Sequence, residues 1–233
     1  MSTAAVHRVD RLDASRRKIR DLFELTVAYT LILLTIWTTG RTQRVLLFAA
    51  AGWIAVTTAL LRIEDWDFGL RRSQRRRSWW IVVVAAILAA GALGIADQVG
   101  TLHLPAGFAL RPWRVLGYVT WSFVQQFILQ DYFLLRLRRH IRSTSGGVAA
   151  AATLFSLAHL PNLLLTAGTL LWGYLACTLF LRYRNLYSLG LAHAIFGLCI
   201  AVTVPDAVHH QMRVGVGYLN YRSHVSGHSV KPQ

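Results

Sequence analysis

A chain of 233 residues can bury a sizeable core, but 55% of this one is hydrophobic and only 15% charged, whereas a soluble domain is about a quarter charged. Lipid rather than water is therefore the expected solvent for most of it. A formal net charge of +15 would suggest a nucleic-acid partner in a soluble protein, yet the basic residues sit almost entirely between apolar runs, which argues for membrane topology and against a polyanion site.

Residues 1–21 are polar and carry Arg16, Arg17, Lys18 and Arg20, a cluster that the positive-inside rule places in the cytoplasm. The first apolar run, about Leu22 to Thr39, lacks a small-residue cleavage pattern and is expected to be retained as the first span. After Arg41 to Arg44 a second span extends to about Leu61. The loop from Arg62 to Ser78 holds Glu64, Asp65 and Asp67, then Arg71, Arg72, Arg75, Arg76 and Arg77. Trp79 and Trp80 mark the interface at which a third span begins, to end near Ala96.

Residues 97–112 contain Gly and Pro with few positive charges and read as a loop on the opposite side. The fourth span covers about Val115 to Leu135 and ends in Arg136, Arg138, Arg139 and Arg142. A fifth runs from Gly146 and Gly147 to the Pro161–Asn162 break, a sixth from Leu163 to Leu181, and a seventh from Asn185 to Pro205. The tail, residues 206–233, contains His209, His210, His224 and His228, has no periodicity and is expected to be poorly ordered. Cys177 and Cys199 lie in apolar runs, where a thiol behaves as a small hydrophobe.

The expected fold is all-α, a polytopic transmembrane helical bundle of about seven spans. It divides into a basic amino-terminal segment (1–21), amino-terminal helices and loops (22–112), a core (113–205) and a polar tail (206–233). The alternation of basic loops predicts a multi-pass protein of the plasma membrane with a cytoplasmic amino terminus and an external carboxyl terminus.

Polar side chains inside hydrocarbon are costly and point to function. Here they are Glu24, Gln125, Gln126, Gln130, Asp131, His159, Asn162 and His193. From helix rise, Gln125 lies about 18 Å below the external end of its span, and His159 about 18 Å and His193 about 12 Å above the cytoplasmic ends of theirs. Gln126 and Gln130 share a helix face, so one buried polar cavity is expected to join this span to the two histidines. Asp131 lies about 240° around the helix from Gln125 and about 140° from Gln126, and points away from them. Glu24, a few residues into its span, can snorkel to the interface. Two histidines without a third ligand make a weak zinc signal, so no metal ligands are assigned.

Three motifs on successive spans are Gln125-Gln126-Phe127-Ile128-Leu129-Gln130, Phe155-Ser156-Leu157-Ala158-His159 and His193-Ala194-Ile195-Phe196-Gly197. In order and spacing they resemble the Glu-Glu-x-x-x-Arg, Phe-x-x-x-His and His-x-x-x-Asn/Asp motifs of the CAAX-protease and bacteriocin-processing (CPBP) family of intramembrane endopeptidases. The resemblance covers about Trp113 to Val204. It implies a bundle whose cavity hydrolyses a peptide bond of a membrane-associated peptide or protein, with Gln125, Gln126, His159 and His193 at the catalytic positions and Gln130 and Asn162 beside the substrate. The chain departs from the family where Gln125 and Gln126 replace both glutamates, Gln130 the arginine and Gly197 the Asn/Asp. A carboxamide is not basic at physiological pH, so the expected base passes to His159 or His193, to Asp131 or to Glu24. The alternative is a catalytically silent relative that binds a peptide or partner in the same cavity.

Overall fold

Residues 3–60, 69, 75–103 and 112–227 are described by a computed structural model. Glu64, Asp65, Asp67, Arg71, Arg72 and His228, on which part of the topology reading rested, lie outside these residues.

Every expected apolar run is helical, and the described residues contain no strand. Helix α1 spans Thr3–Ile36, α2 Gly40–Leu60 and α3 Arg75–Gln98. Helix α4, Pro112–Phe127, passes into a π-helical stretch, Ile128–Leu134, and continues as α5, Leu135–His140. Helices α6 (Thr144–Leu157), α7 (Leu163–Tyr183) and α8 (Leu186–Thr203) follow. Of these, Gly40–Leu60, Arg77–Gln98, Leu163–Tyr183 and Leu186–Thr203 are each long and apolar enough to cross a bilayer. The others differ for visible reasons. The apolar half of α1 begins with Asp21 and Glu24, the fourth run is divided by the π stretch, and α6, at 14 residues, reaches only about 21 Å. Large apolar side chains such as Phe48, Leu60, Leu163 and Leu171 point outward, as lipid-facing positions require.

The π stretch is the hub of the bundle. Leu129 and Leu134 enter a core with Ile81 and Ala85 of α3, Val148 and Ala151 of α6, Phe180 of α7 and Leu189 of α8. On the other side Tyr132 and Phe133 pack with Leu25 and Ala28 of α1 and Ile54 of α2. A wider helical turn lets consecutive residues face both clusters, and such bulges often mark functional sites.

Helix ends are closed by side chains. Asn185 caps α8 by accepting from the Tyr187 and Ser188 amides at 2.9 and 3.3 Å, and it donates to Ser78 Oγ at 2.7 Å. Helices α4 and α8 approach closely because Gly190 faces the Phe123 ring and Gly197 faces the Tyr118 hydroxyl, each without room for a Cβ.

The expectation of a poorly ordered tail is corrected for residues 206–227. They form a short helix α9 (Asp206–His209), a 3-10 turn (His210–Met212) and α10 (Gly215–Gly227). The tail owes its order to tethers, not to an apolar periodicity. Asn162 donates to the carbonyls of His209 and Arg213 at 2.8 and 3.1 Å, and the Gly215 amide donates to the Leu160 carbonyl at 2.9 Å. Gly215 is left-handed, and a Cβ there would strike the Ile36 carbonyl at the end of α1; glycine alone fits both conditions.

Candidate functional site

The bundle encloses a cavity of about 410 Å³. Its polar lining includes Gln125 on α4, His159 in the α6–α7 turn and His193 on α8, together with Tyr29, Tyr118, Thr169 and Gln211. The rest is mainly apolar, including Phe155, Trp121, Leu129 and Leu165.

Gln126 stands behind this lining, fully buried. Its Nε2 donates to His193 Nδ1 at 2.9 Å, and its Oε1 accepts from Gln130 Nε2 at 2.7 Å. The predicted shared face of Gln126 and Gln130 is thus a hydrogen-bonded ladder that ends on a histidine. Because His193 Nδ1 accepts, its neutral ring carries the proton on Nε2. His159 has the opposite arrangement. Its Nδ1 lies 2.8 Å from the Phe155 carbonyl, which can only accept, so the proton is on Nδ1 and the Nε2 lone pair is left for other work. Both imidazoles are seated edge-on against Phe155, with centroid distances of 4.9 Å for His159 and 6.0 Å for His193. The cavity therefore carries one histidine with an N–H to donate and one with a lone pair to accept.

The other sequence-predicted residues stand elsewhere. Asn162 uses its Oδ1 to cap α7 at the Leu165 amide and its Nδ2 to hold the tail. Asp131 is buried in the π stretch and does not line the cavity, in keeping with its predicted angular offset. Glu24 does not snorkel to the interface. It is 7% exposed and pairs at 3.3 Å with Arg136, which is wholly buried. The Arg136 guanidinium lies over the Tyr132 ring and donates to the Tyr132 carbonyl. One turn earlier Asp21 pairs with Arg139 and His140, so Asp21 and Glu24 of α1 clamp α5 rather than serve the cavity.

A zinc ion does not fit the donor set at this cavity. Among the described residues its lining offers no Asp, Glu or Cys beside the two histidines, and two protein ligands are too few for a zinc site. Sequence reading missed two contributors to the lining, Tyr29, Ile32 and Ile36 from α1, and Gln211, Met212 and Val214 from the tail. The first are ordinary apolar-span residues in sequence, and the second belong to a polar, aperiodic stretch, so neither carried a signal.

Residues 107–199 match the family model described as type II CAAX prenyl endopeptidase Rce1-like. The match encloses all three motifs and agrees with the family they suggested. No curated protein and no solved structure matches the chain.

Proposed function

We propose that this multi-pass membrane protein, whose residues 107–199 form an Rce1-like CAAX-protease core, is an intramembrane endopeptidase in which histidine has taken over the work of the missing glutamates. The observation that carries this reading is the complementary wiring of the two imidazoles. His159 Nε2 accepts a proton from a water whose oxygen attacks the scissile carbonyl carbon. The Nε2–H of His193, oriented by Gln126, donates to the developing oxyanion, and the Gln125 amide positions the carbonyl. When the C–N bond breaks, the proton held on His159 passes to the departing amine nitrogen. The apolar lining suits a chain delivered from the bilayer, and the substrate class is a membrane-associated peptide or protein.

The test is cleavage of membrane-anchored peptides by the detergent-purified protein. His159→Ala is expected to abolish cleavage while leaving the fold intact; cleavage retained in this variant would remove His159 from the mechanism.

A second reading is favoured by one specific observation, the replacement of the acidic pair by an amide ladder in a cavity with no carboxylate in its lining. On that reading the protein binds a membrane peptide without cutting it. Wild type that captures a crosslinkable peptide but cleaves none, with cleavage appearing only in Gln125→Glu/Gln126→Glu, would select it.

A further inference from the structure

Where the loop after α3 meets α9, outside the cavity and outside the matched motifs, three ligand-type side chains converge. His103 follows α3, and Asp206 and His209 form the first and last residues of α9. Their nearest ligand atoms all lie within 4.8 Å of one another. Asp206 Oδ1 is 3.4 Å from His209 Nε2 and 3.8 Å from His103 Nε2. These three atoms are buried without a hydrogen-bond partner, and His209 as a whole is 1% exposed. Buried polar atoms aimed at one point without satisfying each other require an explanation.

The distances suggest one. A tetrahedral ion bound at about 2.0–2.1 Å separates its ligand atoms by roughly 3.3 Å, close to the shorter separation and within reach of the longer one by a small side-chain turn. We propose that His103, Asp206 and His209 form a binding site for a divalent transition metal of the zinc type, with a fourth position left for water. Two imidazoles and one carboxylate suit zinc better than the oxygen-seeking calcium or magnesium.

The surroundings prepare the site. His103 Nδ1 donates to the Thr101 carbonyl at 2.9 Å, which leaves the Nε2 lone pair facing Asp206, as a backbone carbonyl behind a metal-bound histidine does. The His103 amide donates to the Val202 carbonyl at 2.9 Å, fixing the loop against the end of α8. His209 Nδ1 accepts from the Met212 amide. Ligation by Nε2 moves its ring proton to Nδ1, so the Met212 amide gives up its bond to that atom when the metal binds.

The site has a structural use. Immediately after it, His210, Gln211 and Met212 are all left-handed, with φ of 51, 52 and 56°, a conformation that is unfavourable for residues other than glycine. Gln211 and Met212 from this strained turn line the cavity. A metal joining α9 to the loop after α3 staples the turn in place, adding to the tether from Asn162 to the His209 carbonyl.

The experiment is metal titration of the full-length protein in detergent after chelator treatment. Zinc uptake is read by calorimetry and cobalt uptake by its visible ligand-field bands, in wild type, His103→Gln, Asp206→Asn and His159→Ala. The His103 and Asp206 side chains are 29% and 30% exposed, so these substitutions are expected to leave the bundle folded, as helicity would report. Wild type and His159→Ala should each take up one equivalent, with a tetrahedral cobalt spectrum, and the two cluster variants should lose it. No uptake by wild type, uptake unchanged in the cluster variants, or loss only in His159→Ala would each overturn the proposal.

Discussion

The Gln126 amide bonds in two directions, accepting from Gln130 and donating to His193, and a carboxylate in its place can only accept. Gln126→Glu is therefore expected to reverse the His193 tautomer, moving the ring proton from Nε2 to Nδ1. Nitrogen chemical shifts of histidine-labelled protein distinguish the two forms, and an unchanged Nε2–H signal would contradict the ladder. Gln126→Leu removes the link altogether and strands two buried polar groups. That should destabilise the bundle by about 1–3 kcal/mol, seen as a lower midpoint of thermal unfolding in detergent. Gln126 and Gln130 are thus matched to each other, for an arginine at 130 would meet no acid at 126. A neutral ladder keeps the hydrogen bonds and avoids the desolvation of buried ions.

At the scale of elements, α4 meets α8 at Gly197. The Tyr118 hydroxyl fills the space into which any side chain at 197 would extend, so the glycine at 197 and the tyrosine on the facing helix depend on each other. Gly197→Ala is expected to cost about 1–3 kcal/mol by overpacking. Combined with Tyr118→Ala, its effect should be non-additive, with a coupling of about 0.5–3 kcal/mol in a double-mutant cycle. The clamp of α1 on α5 should be more sensitive. Glu24→Ala takes a carboxylate from the buried Arg136 guanidinium, a change of the class that costs about 3–5 kcal/mol. Expression and thermal unfolding measure it, and a neutral result would show that Arg136 does not depend on Glu24. The helices themselves were legible because apolar runs bounded by arginines have few alternatives in a bilayer. So was the meeting of Gln126 with His193, since polar groups at equal depth on separate spans must find one another. The partner of Arg136 was not legible, because 112 positions separate it from Glu24 and either residue alone reads as an interfacial charge. The π stretch was hidden for a different reason: its sequence, Ile128 to Leu134, has no feature that distinguishes it from an ordinary α-helical turn.

The whole molecule is organised around a cavity whose walls come from both ends of the chain, and this explains why a reading confined to the motif-bearing half recovered only part of the lining. Helix α1 contributes Tyr29, Ile32 and Ile36, and the tail closes one end with Gln211, Met212 and Val214. The alternation of basic clusters predicts a cytoplasmic amino terminus and an external tail, so reporter fusions at the two termini should report opposite compartments. The tail's seat depends on Asn162, whose Nδ2 holds the carbonyls of His209 and Arg213, and on Gly215, which alone allows contact with Ile36. Trypsin cuts after Arg213, an exposed side chain on a tethered backbone. Asn162→Ala and Gly215→Ala should each speed that cut from the external face by freeing the peptide bond to enter a protease. If Asn162 instead acted only on substrate, its alanine variant would lower peptide cleavage or capture and leave the tryptic rate at Arg213 unchanged. A rise in both Asn162→Ala and Gly215→Ala identifies the tail as a docked roof, and the cavity then has its external entrance at the one segment whose order depends on tethers rather than on lipid.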